Sequence, residues 1–375
     1  MTDDPIVPVT MPKWGLSMRL GKVTAWVVAE GDEVKPGDDL ADIETEKITG
    51  TLESAAAGRV RRIVARVGED VPVSGTIALI APAGVGEDEL DAAVLQARAV
   101  IDAGVPEDVG EAVLQTADVG GRKISYAGAG EDGDVILLVH GYGGDRNSWL
   151  FLQEPLAARY QAYALDLPGH GASAKDVGEG TIGLLAGAVT GVLDALGAGR
   201  AHLVGHSMGG AVALAVAAQD PGRVASLTLI APSGFGSEIN AGYLRGFADA
   251  RTRRDLKPVI GQLFADESHL TRQLVDDLLA YKRLDGADEA LHVLLGTLLD
   301  GDAQRGDSAA PLAAIGSAVP VTVIWGAADR VIPAAQAESV TGAVRYLIDG
   351  AGHMPHMERP AEVQAAIEET IARAG

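Results

Sequence analysis

Apolar and polar residues follow two different patterns in the two parts of the chain. Val23, Ala25 and Val27 alternate with their neighbours, which is typical of a strand with one buried face. From about residue 119 the apolar positions become contiguous, and Val135–Val139 is typical of a strand buried on both faces. The pattern therefore predicts two kinds of β structure, one after the other along the chain.

The first part of the chain contains an internal repeat with an offset of 37 residues. Residues 21–23 correspond to 58–60, and residues 31–34 correspond to 68–71. Each copy predicts short strands separated by Gly-containing turns. Two copies related by a quasi-two-fold axis predict an all-β flattened barrel over residues 1–83.

Lys47 lies in the segment that joins the two copies of the repeat. Ile43 and Ile48 flank the polar residues Glu44-Thr45-Glu46-Lys47, which predicts an exposed hairpin tip. A tip holds the ε-amine clear of the domain body, as a tethered arm requires. The alternative interpretation is a solvated lysine in a charged turn, and the position between two repeat halves favours the arm.

The first part of the chain resembles the lipoyl domain of 2-oxo-acid dehydrogenase complexes. The resemblance rests on residues 11–15, 30–34, 36–38, 44–47 and 58–60. It implies lipoate in amide linkage on Lys47. The family commonly has Asp at the position of Glu46, which is a departure. The related biotin-carrier domain has Met on both sides of its lysine, whereas Glu46 and Ile48 flank it here, and this favours lipoate.

Residues 84–118 are expected to form a partly helical linker. Apolar residues at 90, 94, 97 and 101 have helical spacing, and Gly104 followed by Pro106 can end that helix. The segment is not the Ala-Pro tract that often makes carrier domains mobile. It also has no convincing counterpart of the subunit-binding domain found in many lipoyl-bearing acyltransferases.

The second part, residues 119–375, predicts a mainly parallel sheet covered by helices, because strand-like runs alternate with helix-like segments. After Val135–Val139, apolar runs recur at residues 162–165, 202–204, 227–230, 321–325 and 345–348. Residues 234–310 form an insertion of helical character, which we expect to be a lid. Its basic residues would meet a phosphorylated ligand such as coenzyme A or form a solvated helix face.

Ser207 is the candidate nucleophile. It lies in Gly205-His206-Ser207-Met208-Gly209, after a predicted strand and before a predicted helix. Such a sharp strand-to-helix turn requires small residues at both ends and exposes the central serine hydroxyl.

The partners that activate a serine follow it in the chain order Ser, Asp, His. Asp329 comes after the strand at 321–325, and His353 lies in a Gly-flanked loop after the last strand. His356 is the nearest rival. Backbone N–H groups of Tyr142, in His140-Gly141-Tyr142-Gly143-Gly144, and of Met208 are the candidate donors of an oxyanion hole.

These features resemble the α/β-hydrolase family over residues 119–375, and residues 165–171, Leu-Asp-Leu-Pro-Gly-His-Gly, are a further signature. The alternative is an inactive hydrolase fold used as a scaffold. The combined architecture resembles the dihydrolipoamide acetyltransferase component of acetoin dehydrogenase complexes. The His-x-x-x-Asp-Gly hexapeptide of the more common acyltransferase domain does not occur in the sequence.

The composition of the chain argues against several classes of binding partner and of site. The 375 residues have a formal net charge of −22, which argues against nucleic acid or an anionic membrane. The chain has no cysteine, which excludes disulfides and thiolate metal ligands, and no metal is expected. No signal-peptide pattern is present and no apolar run approaches the ~20 residues of a membrane span. A soluble cytoplasmic protein is expected.

The resemblance implies a reaction and its partners. A thiamine-dependent dehydrogenase component acetylates the lipoyl group on Lys47, and Ser207 passes the acetyl group to coenzyme A. In a variant His353 activates coenzyme A directly, and in another water replaces coenzyme A. Dihydrolipoamide dehydrogenase, a lipoylating enzyme and a homo-oligomeric assembly are also implied. The rivals are an esterase or carbon–carbon-bond hydrolase with a fused carrier domain, and a non-catalytic scaffold that presents a lipoyl arm.

Overall fold

The chain divides into two compact units. They are Met1–Asp108 with Thr271–Leu274, and Val109–Leu270 with Val275–Gly375. The computed structural model describes residues 6–14, 18, 20–45, 49–104, 113–306, 308–315 and 318–375. No helix within these ranges is both long and apolar enough to cross a membrane.

The described residues up to 104 contain eight strands and one helix. The strands are β1 Val7–Thr10, β2 Leu20–Trp26, β3 Glu33–Val34, β4 Asp39–Glu44, β5 Thr49–Glu53, β6 Gly58–Ile63, β7 Asp70–Pro72 and β8 Thr76–Ala81, and the helix is α1 Glu87–Ala103. The strands form two four-stranded antiparallel sheets, in the orders β1-β8-β6-β3 and β5-β4-β2-β7.

The two sheets repeat the same arrangement, and the offset is again 37 residues. Strands β4 and β8 begin at Asp39 and Thr76 and end at Glu44 and Ala81. They occupy equivalent places in the two sheet orders. Strand β2 pairs with β7 and β3 pairs with β6, so each sheet contains strands from both copies. The predicted quasi-two-fold barrel is confirmed.

The barrel core comes from the inward residues of alternating strands. Val23, Ile43, Val71 and Ile77 are completely buried and belong to one apolar cluster. These residues alternate with polar positions along their strands, so each short strand contributes one face to the core. The indole of Trp26 lies at the edge of this cluster, and its Nε1–H donates to the Ala65 carbonyl at 3.1 Å.

The hairpin of β4 and β5 flanks the candidate attachment site. Its strands pair from Asp39 with Glu53 to Glu44 with Thr49. The hydroxyl of Thr51 donates to the Asp42 carboxylate at 2.8 Å within this pairing. Lys47, which the sequence places at the hairpin tip, lies outside the described residues, as do residues 46 and 48.

Helix α1 packs on the barrel. Leu90, Ala97 and Ile101 are buried in the barrel's apolar cluster. The helix begins and ends where its apolar spacing predicts, and Gly104 follows it at φ +67°, a conformation that favours glycine. The α1 part of the segment 84–118 is therefore an integral element of the N-terminal unit.

Ion pairs hold the ends of α1 to the barrel. The guanidinium of Arg61 lies 2.6 Å from a carboxylate oxygen of Glu87, which also pairs with Arg62. At the other end of the helix, Arg98 lies 2.8 Å from Glu69 of the barrel. The hydrogen bond from Arg98 lowers the pKa of Glu69, so this carboxylate keeps its charge near neutral pH.

The second unit is built around one eight-stranded sheet. Its strands are β9 Val113–Val119, β10 Arg122–Ala129, β11 Val135–Val139, β12 Gln161–Leu165, β13 Ala201–His206, β14 Val224–Ile230, β17 Val321–Gly326 and β18 Val344–Ile348. They lie in the order β18-β17-β14-β13-β11-β12-β10-β9. Pairing is parallel from β12 across to β18 and antiparallel for β9 and β10. The mainly parallel sheet predicted from the apolar runs is confirmed.

Along the described chain, three α-helices lie between strands β11 and β14 of this sheet and two follow its last strand. They are α2 Gln153–Ala157, α3 Ile182–Ala195, α4 Met208–Gln219, α10 Pro355–Glu358 and α11 Pro360–Ala372. Between β14 and β17 the described chain forms a mainly helical insertion. It contains α5 Ala241–Asp249, α6 Arg253–Ile260, α7 Arg272–Lys282, α8 Ala287–Leu298 and α9 Ala309–Ile315, with the short strands β15 Leu299–Asp300 and β16 Ala303–Gln304.

Strand β9 was not visible in the sequence pattern. Nearly all of it lies within the segment 84–118 that the sequence assigns to the linker, and it pairs with β10 along its whole length. As an edge strand it exposes residues such as Leu114, so it lacks the contiguous apolar run of the central strands. The hydrolase sheet therefore starts at Val113.

We expect Leu90→Ala to loosen the N-terminal unit, because Leu90 is fully buried where α1 meets the barrel. Removing a buried leucine side chain costs roughly 2–5 kcal/mol. Hydrogen exchange of the full-length chain, followed by mass spectrometry, should show faster exchange in α1 and in β8.

Leu95→Ala on the same helix is the matched control, since Leu95 is 73% exposed. It should change the free energy of opening, as derived from hydrogen exchange, by no more than about 0.5 kcal/mol. Equal effects of the two substitutions would contradict the packing of α1 on the barrel.

Candidate active site

Ser207 occupies the sharp turn between β13 and α4. Its backbone has φ +52° and ψ −117°, a strained conformation for a residue with a side chain. The turn is held from both sides. The Ser207 N–H donates to the Ile230 carbonyl at 2.9 Å, and the Ser207 carbonyl accepts from the Gly210 and Ser233 N–H groups. The side chain remains partly exposed, as the sequence predicts for the central residue.

The two glycines of the motif are required by space. A Cβ atom at Gly205 would lie 2.3 Å from the carbonyl oxygen of Gly209. A Cβ at Gly209 would lie 2.3 Å from the carbonyl oxygens of Val139 and His140, at the end of β11. Both distances are far inside van der Waals contact, so any side chain here would open the turn that presents Ser207.

Asp329 lies in the loop after β17 with its side chain completely buried. One carboxylate oxygen accepts the N–H groups of Val331 at 2.7 Å and Ile332 at 3.0 Å. The other accepts the indole N–H of Trp325 at 3.1 Å and Nδ1 of His353 at 2.8 Å. Four donors compensate the burial of this carboxylate, which fixes its orientation.

The structure brings Asp329 and His353 into direct contact. Because Nδ1 of His353 donates to Asp329, Nε2 of the neutral imidazole is left as an acceptor. The ring of His353 lies 4.7 Å from that of His206, the residue before Ser207, and Nε2 of His206 donates to the His353 carbonyl at 2.9 Å. Among the described residues the Ser207 hydroxyl has no hydrogen-bond partner; such contacts often tighten only with substrate.

His356, the rival of His353, has a different environment. Its ring packs 4.8 Å from Trp149 and 4.7 Å from His206. Burial, together with the nearby His353, lowers the pKa of His356 to about 3, so its imidazole is neutral. Neither of its ring nitrogens has a partner within the described part of the chain. It does not contact Asp329, and the geometry therefore favours His353.

The loop from His140 to Gly144 lies against the serine turn. A Cβ atom at Gly141 would come within 3.0 Å of the Ser207 Cβ. Tyr142 and Met208 are both buried, yet neither backbone N–H has an acceptor among the residues that the structure describes. Buried N–H groups are rarely left unpaired. Two such donors near Ser207 suit a negatively charged oxygen formed during reaction.

Two buried histidines fix this loop. Nε2 of His140 accepts the Leu167 N–H at 2.9 Å, and Nε2 of His170 accepts the Gly143 N–H at 3.1 Å. Burial holds the pKa of both histidines below the usual value, so both stay neutral and can accept. His170 belongs to the signature 165–171, and its contact with Gly143 was not derivable from the sequence. The related signal in the sequence is a histidine within a Gly-rich motif.

The basic residues of the insertion are mostly paired. Their ion pairs are Arg245 with Asp302 at 2.6 Å, Arg251 with Asp288 at 2.6 Å, and Arg253 with Asp276 at 2.5 Å. These carboxylates neutralise the charge that a phosphorylated ligand would use. The solvated helix face is thus the better interpretation of this cluster.

No metal site was found within the described ranges, where no three His, Asp or Glu side chains could hold an ion. The chemistry that the site can supply is nucleophilic. A strained serine, an imidazole hydrogen-bonded to a buried carboxylate and two unpaired N–H donors are the components of acyl transfer.

Comparison with known families matches both parts of the chain. The alpha/beta hydrolase fold family matches residues 134–360. The family described as "Biotin-requiring enzyme", which contains biotin and lipoyl carriers, matches residues 7–80. A solved meta-cleavage product hydrolase from Pseudomonas fluorescens superimposes with a TM-score of 0.62 at 19% identity. It covers 70% of this chain and 98% of its own, which shows the fold alone.

Two relatives match almost the whole chain. The dihydrolipoyllysine-residue acetyltransferase component of the acetoin cleaving system from Cupriavidus necator is 44% identical over 367 residues, or 98% of this chain and 97% of the relative. The component of the same name from Pseudomonas putida is 46% identical over 358 residues, or 95% of each. The chain therefore belongs to the family of dihydrolipoyllysine-residue acetyltransferase components of acetoin cleaving systems.

Proposed function

We propose that the chain moves an acetyl group from a lipoyl arm on Lys47 to coenzyme A, with Ser207 as the intermediate carrier. The observation that carries this proposal is the match of both halves to full-length acetyltransferase components. The contact of His353 with Asp329 supports the catalytic half. The enzyme acts as a component of a larger system, as the word component in the names of those relatives implies.

The N-terminal unit suits a covalent lipoyl group. Strands β4 and β5 pair up to Glu44 and Thr49, so a connection of only four residues, which includes Lys47, joins them. No bulky insertion separates the strands. When bound, lipoate supplies a sulfur that carries an acyl group. Glu46 and Ile48 in place of flanking methionines support lipoate rather than biotin.

The first step transfers the acyl group to the enzyme. Nε2 of His353 takes the proton of the Ser207 hydroxyl, whose oxygen attacks the carbonyl carbon of the donor thioester. The N–H groups of Tyr142 and Met208 donate to the oxygen that becomes negative. The carbon–sulfur bond then breaks, His353 returns the proton to the leaving sulfur, and acetyl-Ser207 remains.

The second step reverses these roles. His353 removes the proton of the coenzyme A thiol, and the sulfur attacks the acetyl-serine carbonyl under the same two N–H donors. The ester bond to Ser207 breaks, and His353 gives the proton back to the serine oxygen. Asp329 keeps its hydrogen bond to Nδ1 throughout and stabilises the imidazolium.

We assign residues 1–83 to the carrier barrel, 84–118 to the connecting segment, whose helix α1 packs on that barrel, and 119–375 to the catalytic domain, with 234–310 as its lid. The last residues of the connecting segment contribute β9 to the catalytic sheet. A thiamine-dependent dehydrogenase component, dihydrolipoamide dehydrogenase and a lipoylating enzyme are the proposed partners, and a homo-oligomer is expected. The cytoplasmic location stays a prediction.

A hydrolase activity is the second candidate, because the fold also belongs to a meta-cleavage product hydrolase. That similarity covers 70% of this chain and omits the carrier half, whereas the acetyltransferase components cover 95–98%. Transfer to coenzyme A is therefore favoured over transfer to water.

We expect the full-length chain, expressed with a lipoylating enzyme, to gain the mass of one lipoyl group. Lys47→Arg keeps the charge but should gain none, because it lacks the ε-amine that forms the amide. Intact-mass spectrometry measures both. Lys35→Arg, in a turn after β3, is the control and should still be modified. A modified Lys47→Arg chain would contradict the assignment.

Ser207→Ala should abolish acetyl transfer, because the variant lacks the attacking oxygen. A loss on the order of 10³-fold or more is expected for a nucleophile. The measurement is formation of acetyl-coenzyme A and of free acetate from the acetylated arm. Unchanged formation in Ser207→Ala would favour direct attack by coenzyme A, and acetate as the main wild-type product would favour water as acceptor.

Asp329→Asn should lower kcat on the order of 10⁴-fold, because an amide no longer fixes the tautomer of His353 with Nε2 free. The KM should change little, since Asp329 is buried away from substrate. Asp349→Asn, in the exposed turn after β18, is the matched control. Equal activity of the two variants would contradict the role of Asp329.

A further inference from the structure

We propose that Glu358 is a positioning residue, which couples the lid segment 261–266 to the loop that carries His353. Glu358 ends helix α10 and is only 5% exposed. It has no place in the reaction described above. The proposal rests on the proposed function only in that it takes His353 as the general base.

The Glu358 carboxylate joins two backbone segments. One oxygen accepts the N–H of Gly352, the residue before His353, at 2.6 Å. The other accepts the N–H of Ala265 at 2.7 Å and that of Asp266 at 3.3 Å. A carboxylate can accept through both of its oxygens at once, whereas an amide has one oxygen and places an N–H donor on the other side.

The two segments also contact each other directly. The His353 N–H donates to the Leu263 carbonyl at 2.8 Å. A Cβ atom at Gly352 would lie 2.7 Å from that same carbonyl oxygen and 2.8 Å from the nitrogen of Ala265. The close approach requires glycine before His353, and it leaves no room for the lid segment to shift without moving the histidine backbone.

The loop of Asp329 holds the same lid segment from its other side. The guanidinium of Arg330 donates to the carbonyl of Gly261 at 2.7 Å and to that of Phe264 at 2.5 Å. Asn240, the N-cap of α5, donates through its backbone to Val331 and through its side chain to the Arg330 carbonyl. Residues 261–266 are thus bonded to the loops of both members of the Asp329–His353 pair.

The consequence is that the imidazole is oriented by the lid as well as by Asp329. Asp329 fixes the ring through Nδ1, and Glu358 fixes the backbone from which the ring projects. A displacement of about 1 Å in a catalytic group can cost on the order of 100-fold in rate. The lid segment therefore has to be in place before His353 can act on Ser207.

Glu358→Gln tests this role in the full-length lipoylated protein. The readouts are kcat and KM of acetyl transfer, the rate at which a fluorescent phosphonate labels Ser207 per folded molecule, and the far-downfield proton resonance of the Asp329–His353 hydrogen bond. We expect kcat and the labelling rate to fall on the order of 10- to 100-fold, a shifted or broadened resonance, and little change in KM.

The exposed Glu362, one turn further along the chain, supplies the matched control Glu362→Gln, which should match the wild type in all readouts. Arg330→Lys releases the same segment from the other side and should change the readouts in the same direction. If Glu358→Gln fails to fold, Arg330→Lys still tests the proposal. Phosphonate labelling needs neither the arm nor coenzyme A, so it separates this proposal from the choice of acyl acceptor.

A lower melting temperature for Glu358→Gln, with wild-type labelling and an unchanged resonance in the folded protein, would overturn the proposal. Glu358 would then only stabilise the fold. A wild-type labelling rate for Arg330→Lys would contradict the claim that the lid segment orients His353.

Discussion

The close approach of the β13–α4 turn to the end of β11 determines how the catalytic half presents Ser207. Gly205 and Gly209 leave no space for a side chain, and Ser207 between them has a strained backbone, at φ +52°. Such strain persists only if the surroundings hold it. Here the holding groups are backbone hydrogen bonds to Ile230 and Ser233, so the presentation of Ser207 depends on strand β14 and the residues that follow it.

Around this turn, some buried polar groups have hydrogen-bond partners in the structure and others have none. His140 and His170 are neutral cross-links whose hydrogen bonds hold the 140–144 loop. The Asp329 carboxylate has four donors. The N–H groups of Tyr142 and Met208 have no acceptor among the described residues. Their place beside Ser207, and not the lack of an acceptor alone, makes them the candidate donors to a negatively charged oxygen.

Local signals in the sequence predicted most of the fold and the candidate site. The 37-residue offset, the apolar spacing of α1 and the Ser, Asp, His order depend on residues close in sequence or on a known chain order. The features that could not be predicted depend on distant contacts. Strand β9 is an edge strand whose exposed residues hide its pairing with β10. Glu358 lies in an unremarkable Met-Glu-Arg stretch, and only folding brings it 2.7 Å from the nitrogen of Ala265.

The two halves of the quasi-two-fold barrel have equivalent strands that lead into different segments of the chain. Strands β4 and β8 are equivalent, yet Glu44 at the end of β4 is exposed and Ala81 at the end of β8 is buried. After β8 the chain continues through Pro82, whose carbonyl accepts from Arg61, into α1, which covers apolar residues of the barrel. The symmetry supplies two similar strand ends, and α1 removes one of them from solvent. The other end leads to the segment with Lys47, so the two halves differ in the segment that is attached to the equivalent strand end.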